Sequence, residues 1–527
     1  MATVTQGKQV TGTNLPCILK SERLAIDHLT SETPVFSDSV RQISRRRLVA
    51  LGGAGITGLM LDRRLPAVFA APRTELRLQI APLTFEVAPG REIRTTAYNG
   101  SVAGVLHLPE GQPIEVEIEN SLATEELVHW HGFELDPFLD GTAEEGSLAV
   151  PAAGRLRYVL PAQRSGSFYV HSHALAHGNM AAGMYSGQFA FVYVEPRHNP
   201  GRYDREVFLS THEWDAFMVN EADEQRSIEK MYHLRLDPEE VEGVGEGGWD
   251  IRYRIASING RAFGHGEPIR VRQGERVLFH LLNGSATENI ELALPGHTFW
   301  VVAMDGFAVP HPAAVEIVSL GVGERMDVLV EMSAPGIWVL GSTDDQARAA
   351  GLGVVIEYAG ASADPVWIDP VGQPEWNYGP FAGHCSTDSQ TEEVRMAITR
   401  LPLAENGAER WGLTDTYGQS LLAPMRLELG RTYRLNLRNE SDEWHPMHLH
   451  RHAFTLARYR GRRIGDLRKD TVLVPPRDTV ELLVTPQASG PALFHCHNQM
   501  HMDAGMHVLF ETNGRVGQVI RKNEREQ

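Results

Sequence analysis

The 527-residue sequence contains only three cysteines, and two of them, Cys385 and Cys496, lie outside the first 70 residues. That number excludes a disulfide framework and a cysteine-rich zinc domain. Long apolar runs are also missing. The run at residues 48–61 is 14 residues long, which is shorter than the ~20 residues that cross a bilayer, so we expect no membrane span in the mature chain.

Basic residues are few relative to acidic ones, with 49 Lys and Arg against 67 Asp and Glu, so the net charge is -18. An acidic field repels nucleic acid and favours cations, so we expect no nucleic-acid partner. Simple solubility accounts for the same charge equally well. With 42% hydrophobic and 22% charged residues, the composition is that of a soluble globular protein, and its length indicates several domains.

A basic and then apolar segment stands near the start of the chain. Residues 44–47, Ser-Arg-Arg-Arg, precede the apolar run, and Val-Phe-Ala follows at residues 68–70. This order predicts a twin-arginine signal over residues 1–70 that is removed after export by the twin-arginine machinery. We therefore expect a periplasmic or secreted protein. An internal basic turn is the alternative interpretation.

One strand pattern recurs three times, at residues 111–120, 274–283 and 430–439. Each copy begins with Gly, has three apolar residues at alternate positions, and ends in Asn nine residues after the Gly. Alternation with period two predicts strands with one buried face. A Gly followed by a short apolar strand comes later in each copy, at Gly166, Gly336 and Gly490. The repeats predict an all-β protein of three consecutive β-sandwiches.

The repeats and the Pro-rich stretches between them also predict the domain boundaries. We expect domain 1 at residues 71–197, domain 2 at residues 198–365 and domain 3 at residues 366–527. The acidic residues 221–248 interrupt the strand pattern. We interpret them as an inserted, solvated surface loop.

Pairs of histidines with one residue between them occupy matching positions in the first and third repeats, while the middle repeat has none there. With 23 His in 527 residues, chance would give about one such pair in the chain. Alternate residues of a strand face the same side, so four pairs can converge at one interface. Neutral imidazole suits copper, and eight nitrogens serve three ions as three, three and two. The eight are His129, His131, His171, His173, His448, His450, His495 and His497.

The third repeat adds a different set of ligands. Cys496 lies between two of the paired histidines, so its side chain points to the opposite face of the strand. Two His, one Cys thiolate and a weakly bound Met make a blue copper site for electron transfer. We expect no disulfide, because the thiolate is a ligand, and we interpret His177 as a surface residue. The remaining ligands of this site are His445, His501 and Met506.

The motifs HWHG, HSH, HPMHLH and HCHNQMHMDAGM resemble the copper motifs of the three-domain multicopper oxidases, the family of laccases and bacterial cuprous oxidases. The resemblance covers residues 75–515. It implies three cupredoxin-like Greek-key domains and four copper ions per chain, one type 1, one type 2 and two type 3. It also implies an enzyme that couples four one-electron oxidations of a small-molecule or metal-ion donor to the reduction of dioxygen to water. We expect a monomer.

The motif match assigns each ligand. It implies that His129 and His448 hold the type 2 copper. One type 3 copper would be held by His131, His171 and His497, and the other by His173, His450 and His495. The type 1 copper would be held by His445, Cys496, His501 and Met506.

Two acid positions follow from the same resemblance. The family carries an Asp after HWHG that supplies protons to the cluster, and Asp140 matches it, although an Asp-Gly turn is the alternative interpretation. Bacterial relatives often carry a Glu just after the last type 1 His, where this chain has Met502. That departure puts a second proton relay in doubt and leaves Asp503 as the candidate substitute.

The electron donor is the least defined part of the prediction, because the family admits phenols, aromatic amines and several metal ions. No Met-rich insert is present, so we expect bulky phenols or aromatic amines to reach a ligand His, with some oxidation of Cu(I). Asp442 and Glu443 would attract cations, and a polar loop before a strand is the alternative interpretation. The alternatives are a metal oxidase for copper tolerance, a two-copper nitrite reductase and a non-enzymatic cupredoxin scaffold. The complete ligand set disfavours the last two.

Overall fold

A computed structural model describes residues 74–199, 201–220, 249–370, 375–383, 391–404 and 408–513. The predicted signal region, the predicted loop at residues 221–248 and Cys385 lie outside these ranges. All described residues belong to one compact unit, Arg73–Gln527. Within the described ranges, no helix is long and apolar enough to cross a membrane.

Domain 1 consists of two four-stranded sheets. Its strands are β1 (Thr74–Ala88), β2 (Arg91–Tyr98), β3 (Gly104–Pro109), β4 (Ile114–Asn120), β5 (Val128–His131), β6 (Arg155–Leu160), β7 (Gly166–Ser172) and β8 (Phe189–Glu195), with short 3-10 helices at Pro137–Leu139 and Gly183–Tyr185. The strand orders are β2-β1-β4-β6 and β3-β8-β7-β5.

Domain 2 pairs a six-stranded with a five-stranded sheet. Its elements are β9 (Arg205–Asn220), β10 (Trp249–Ile258), β11 (Ile269–Val271), β12 (Arg276–Asn283), β13 (Ile290–Ala293), β14 (Phe299–Met304), β15 (Phe307–Val315), β16 (Ile317–Leu320), β17 (Arg325–Glu331), β18 (Ile337–Ser342), helix α1 (Asp345–Ala350) and β19 (Gly353–Tyr358). The strand orders are β10-β9-β12-β17-β14-β15 and β11-β19-β18-β13-β16.

Domain 3 has the same plan. A 3-10 helix at Gly379–Phe381 precedes β20 (Glu392–Leu401), β21 (Arg410–Thr414), β22 (Met425–Glu428), β23 (Tyr433–Asn439), β24 (His445–Leu449), β25 (Phe454–Tyr459), β26 (Arg462–Lys469), β27 (Thr471–Val474), β28 (Thr479–Val484), β29 (Gly490–Cys496), helix α2 (Gln499–Asp503) and β30 (His507–Asn513). The strand orders are β21-β20-β23-β28-β25-β26 and β22-β30-β29-β24-β27.

The three sequence repeats form equivalent strands. β4, β12 and β23 pair in parallel with β1, β9 and β20 and antiparallel with β6, β17 and β28. The second element becomes β7, β18 and β29, each between two antiparallel partners. The predicted apolar faces are at most 3% exposed: Ile114, Val116, Ile118, Val277, Phe279, Leu281, Tyr433, Leu435 and Leu437. The prediction of three cupredoxin-like sandwiches is confirmed.

The Asn that ends each repeat fixes the turn before the next strand. Asn439 is 1% exposed. Its Nδ2 donates to the carbonyls of Glu443 and Pro475 at 2.7 and 3.0 Å, and its Oδ1 accepts from the backbone N–H of Ser441 at 2.9 Å. Asn120 bonds the backbone of its own turn in the same way. Because these turns lead into β24 and β5, the Asn residues position the strands that carry histidine pairs.

The gaps between sheets contain the predicted domain boundaries. β8 ends at Glu195 and β9 begins at Arg205, while β19 ends at Tyr358 and β20 begins at Glu392. The boundaries predicted near residues 197 and 365 fall in these gaps. Their exact positions stay predictions.

Candidate metal centre

The four predicted histidine pairs lie together between domains 1 and 3. Each pair, or the first histidine of the pair, lies on one of four strands, β5, β7, β24 and β29. All eight side chains are at most 6% exposed. Rings from the two domains stack directly, with centroids 3.6 Å apart for His131 and His448 and 4.0 Å apart for His129 and His450. The structure therefore brings all eight predicted residues into one buried cluster.

Half of these rings are held by one nitrogen and present the other to the cluster. Four Nδ1–H groups donate to backbone carbonyls: His129 to Asp140 at 2.7 Å, His171 to Ser172 at 3.0 Å, His448 to Asp470 at 2.9 Å and His495 to Cys496 at 2.7 Å. Nε2 of the first three has no hydrogen-bond partner among the described residues. Buried polar atoms normally have a partner, and a His that binds a metal normally donates its other N–H to a carbonyl or carboxylate. The donor set fits copper.

Seven of the eight histidines are held in the neutral form. Burial, reinforced by the neighbouring imidazoles, lowers the pKa of His173 to about 3. The same causes hold the pKa values of the others well below the usual range, so their nitrogen lone pairs are available to a cation. These others are His131, His171, His448, His450, His495 and His497.

His131 is oriented differently from its neighbours. Its Nε2 lies 3.1 Å from both Asp470 Oδ1 and Thr471 Oγ1, and its Nδ1 faces Nε2 of His497 at 3.1 Å. This contact agrees with the predicted type 3 group that includes both residues.

The cluster can be divided into groups of three side chains whose ligand atoms lie within 4.8 Å of one another. One group is identical to the second predicted type 3 set, His173, His450 and His495. Other groups share His129, which belongs both with His131 and His171 and with His448 and His450. The assignment of single ions to single histidines therefore stays a prediction.

Two buried carboxyl groups lie beside the cluster. Asp140 is 0% exposed, and its Oδ2 accepts from His450 Nδ1 at 2.7 Å and lies 3.3 Å from His129 Nδ1. Glu145 Oε1 accepts from the backbone N–H of Leu493 at 2.7 Å and lies 3.6 Å from His450 Nδ1. Burial and the charge of Asp140 raise the pKa of Glu145 well above its usual range. Glu145 was not predicted, although the acidic pair of residues 144 and 145 follows Asp140 closely.

Asp503, the candidate for a second proton relay, has a different environment from the two carboxyl groups beside the cluster. The Asp503 carboxylate accepts from the backbone N–H groups of Ala176 and His177 at 3.0 and 2.9 Å and from Gln499 Nε2 at 2.7 Å. These bonds fasten helix α2 to domain 1 and do not reach the histidine cluster. His177 is exposed, in agreement with its interpretation as a surface residue.

A second group lies on the other face of β29. Cys496 Sγ is 3.8 Å from His445 Nδ1 and 3.7 Å from His501 Nδ1, and the two nitrogens are 3.2 Å apart. His445 Nε2 is bonded to Ser441 Oγ at 2.7 Å, so its Nδ1 faces the sulfur. Met506 is fully buried, and its backbone bonds that of Cys496 and His501, both at 3.0 Å. The four predicted type 1 ligands therefore lie together.

The electrostatics of this second group favour one positive charge and not two, because burial and the neighbouring His501 hold the pKa of His445 well below its usual range. Burial lowers the pKa of His501, but Cys496 and the Glu443 carboxylate outweigh it and raise the pKa to about 10. Burial raises the pKa of Glu443, but the hydrogen bond from His501 and the nearby positive charges lower it to about 2. A site that stabilises a cation beside a cysteine sulfur suits a copper ion as well as a proton.

The outer edge of His501 is covered. Its side chain is 5% exposed, and Nε2 donates to Glu443 Oε2 at 3.2 Å, whereas Glu443 itself is 34% exposed. Trp411 packs on the His501 ring, with the two ring centroids 4.6 Å apart. The Arg400 guanidinium forms ion pairs with Glu443 at 2.7 Å and with Glu409 at 3.1 Å. The expectation that bulky donors reach the edge of a ligand His stays a prediction, and Glu443 is the more exposed group beside that edge.

Sequence comparison decides which family has this arrangement. Three family models, each described as multicopper oxidase, match residues 80–198, 231–356 and 399–515, together more than half of the chain. The chain belongs to the multicopper oxidase family. As a multicopper oxidase it is a copper-binding, laccase-like oxidoreductase that uses dioxygen and a reducing substrate.

Relatives of this multicopper oxidase come from several bacteria. The multicopper oxidase MmcO of Mycobacterium tuberculosis is 27% identical over 483 residues, 87% of this chain and 90% of that protein. Copper resistance protein A of Pseudomonas syringae pv. tomato is 27% identical over 383 residues, 64% of this chain and 62% of that protein. A solved multi-copper oxidase from Pseudomonas thermotolerans shares the fold with a TM-score of 0.62 at 22% identity, covering 84% of this chain and 100% of that chain.

Proposed function

We propose that this multicopper oxidase holds four copper ions, three among the eight histidines and one at His445, Cys496, His501 and Met506. The observation that carries the proposal is the position of Cys496, whose two sequence neighbours belong to the buried histidine cluster while its own sulfur belongs to the other group. When bound, copper supplies one-electron oxidation at the outer site and four-electron reduction of dioxygen at the inner one. The covalent connection through β29 gives the electrons a short route between the two.

The protein side chains prepare and supply the inner site. Backbone carbonyls fix the imidazole rings, so the ligand nitrogens need little reorganisation. Burial of all eight histidines excludes bulk water. The reduction of dioxygen to water consumes protons, and we assign their delivery to Asp140, which accepts the Nδ1–H of His450. Glu145, whose pKa is raised well above its usual range, is a second store of a proton beside the same histidine.

The substitution Cys496→Ser tests this arrangement. It should abolish the blue absorption of the oxidised enzyme and stop substrate oxidation, because the thiolate–copper bond is the origin of both. Electrons supplied directly to the inner site by a small chemical reductant should still reach dioxygen. A variant that stays blue would contradict the assignment of Cys496.

For the electron donor, we propose a reducing cation, with Cu(I) as the first candidate. Glu443 is ionised, one third exposed and hydrogen-bonded to His501. A cation at this carboxylate is therefore separated from His501, a proposed ligand of the outer copper, by a single hydrogen bond. The name of the copper resistance protein relative agrees with this proposal. Phenols and aromatic amines are the second candidates, because an aromatic amine can carry positive charge and so approach the exposed Glu443 carboxylate.

A comparison of donors separates these candidates. kcat/KM should be measured for Cu(I), held by a weak chelator, and for a methoxyphenol, with Glu443→Gln and the neighbouring exposed acid variant Asp442→Asn. Glu443→Gln should lower kcat/KM for Cu(I) by at least about tenfold and affect the phenol less, since the lost charge steers only the cation. Equal losses for both donors, or a phenol preference in the parent enzyme, would overturn the proposal.

We also propose that the enzyme is exported by the twin-arginine pathway and acts as a monomer in the periplasm or outside the cell. The sequence at residues 44–70 supports export. Mass spectrometry of the mature protein recovered from the periplasm would test it, with cleavage near residue 70 expected. Recovery of the intact chain from the cytoplasm would overturn it.

A further inference from the structure

We propose that Arg325, from the domain that supplies none of the twelve proposed ligands, is a positioning residue for His131. It acts through Asp470, whose carboxylate holds the His131 ring. The inference rests on the proposed function, because it takes His131 as a copper ligand. It assigns domain 2 a direct part in building the inner site.

The contacts form a continuous chain across three domains. Arg325 binds Asp470 at two points, Nη1 to Oδ1 at 2.8 Å and Nη2 to Oδ2 at 2.6 Å. Asp470 Oδ1 lies 3.1 Å from His131 Nε2 and also accepts from Thr471 Oγ1 at 3.0 Å. Arg325 and His131 are 0% exposed and Asp470 is 1% exposed. A buried carboxylate needs a paired cation and full hydrogen bonding, and Arg325 supplies the cation.

His131 needs such a partner because its ring, unlike the four that backbone carbonyls hold, is held by a side chain. The rings of His129, His171, His448 and His495 are fixed by backbone carbonyls, which the β-sheets hold in place. The acceptor for His131 is a side chain, which can rotate. The partner of one imidazole nitrogen decides which nitrogen faces the metal. The two-point contact of Arg325 therefore fixes the Asp470 carboxylate, and through it the direction of His131 Nδ1 toward His497.

Glycines on both sides of this contact make room for it. Gly132 follows His131 with a φ of +84°, and a Cβ there would lie 2.7 Å from Asp470 Oδ2 and 2.8 Å from Arg325 Nη2. The Gly that ends the HWHG motif is therefore required by the ion pair. Gly323 has a φ of +83°, its carbonyl accepts from Arg325 Nη1 at 2.9 Å, and a Cβ there would lie 2.9 Å from Cδ2 of His497.

Domain 2 thus lies against His497 at Gly323, and it acts on His131 through the contact of Arg325 with Asp470. The Arg325 guanidinium is itself anchored in domain 1, where its Nε donates to the carbonyl of Ser167 at 3.2 Å. Ser167 lies on β7, the strand that carries His171. Domain 2 provides no proposed ligand, yet it sets the distance between strands that do.

The test compares Arg325→Gln and Arg325→Lys with a matched control, Arg164→Gln. Arg164 lies at the same interface between domains 1 and 2, where Nη2 donates to the carbonyl of Asp305 at 3.2 Å and the guanidinium lies 4.6 Å from the Phe168 ring centre. It makes no hydrogen bond to Asp470. Copper per chain is measured after dialysis against a graded copper chelator, together with the blue absorption, the type 2 electron paramagnetic resonance signal and the near-ultraviolet absorption of the type 3 pair.

We expect Arg325→Gln to keep its blue absorption, because the outer ligands do not touch Arg325, and to lose inner-site copper at about 10- to 100-fold lower chelator concentration than the parent. Arg325→Lys, which keeps the charge but not the two-point contact, should give an intermediate loss. Arg164→Gln should retain inner copper at the parent level. A purely structural role would bleach the blue site as well, or affect both arginine positions equally, and either result would overturn the inference.

Retention of all inner copper by Arg325→Gln would overturn it too. Should Arg325→Gln fail to fold, Arg325→Lys carries the same comparison. A parent enzyme that binds copper only at the outer site would instead refute the proposed function, so the two failures are distinguishable.

Discussion

One of the buried histidines of domain 2, His280, makes the stability of the protein depend on pH. His280 lies on β12 and is 1% exposed. Its Nδ1 is 2.8 Å from Asp327 Oδ1, and its Nε2 is 3.6 Å from Glu206 Oε1. Ser167 of domain 1 donates to the same Asp327 oxygen at 2.6 Å. Burial lowers the pKa of His280, but the two carboxylates outweigh it and raise the pKa to about 9.

A pKa raised on folding means that the folded state holds the proton more tightly than the unfolded state. The contribution to stability is fully present below the unfolded pKa of about 6.5 and is lost as pH rises through about 9. One unit of pKa shift corresponds to about 1.4 kcal/mol, so the protein should lose about 3 kcal/mol from this group between about pH 6 and about pH 9.5. His280→Gln removes the titrating group and with it this loss.

Urea unfolding of the parent and of His280→Gln at both pH values would measure the effect. The variant should be less stable than the parent at the lower pH, and the difference should shrink by about 3 kcal/mol at the higher pH. His297→Gln is the matched control, because burial lowers the pKa of His297 and its contribution has the opposite sign. A His280→Gln variant whose difference from the parent is the same at both pH values would refute the reasoning.

Three further predictions concern the metal centres. Met506→Leu should keep the blue colour but raise the reduction potential of the outer copper, because a thioether donates weakly to Cu(II); a redox titration showing no rise would contradict the axial assignment. Asp140→Asn should leave copper content and colour intact and slow dioxygen consumption about 10²- to 10⁴-fold, since proton delivery is lost; turnover at the parent rate would reduce Asp140 to a turn residue. Gly132→Ala should weaken inner copper as Arg325→Gln does, because its Cβ would displace the ion pair; unchanged copper retention would show that the ion pair can move aside.

The features that sequence alone predicted are those that repeat locally along a strand. Alternate apolar residues in β4, β12 and β23 specify one buried face, and His at alternate positions share a face for the same reason. Cys496 between two histidines needed no tertiary information to be placed on the opposite face. Local spacing of this kind was enough for the three sandwiches and for the composition of both metal groups.

The features that sequence did not predict depend on contacts between distant segments. Arg325 and Asp470 are 145 residues apart and belong to different domains, and no spacing rule links them. Glu145 reaches the cluster because the chain after β5 folds back against β29, where it meets Leu493. The cover over His501 was missed because Trp411 and Arg400 come from strands that precede the type 1 motifs by more than 30 residues.

The most direct test of the central claim is the copper content of the purified, fully loaded enzyme, measured together with its spectra. The account predicts about four copper ions per chain, with blue absorption from the Cys496 site and a type 2 resonance from the histidine cluster. Each His-to-Ala variant of the eight clustered histidines should lose inner copper and keep the blue band. Two copper ions per chain, or none, in a correctly folded protein would contradict the account.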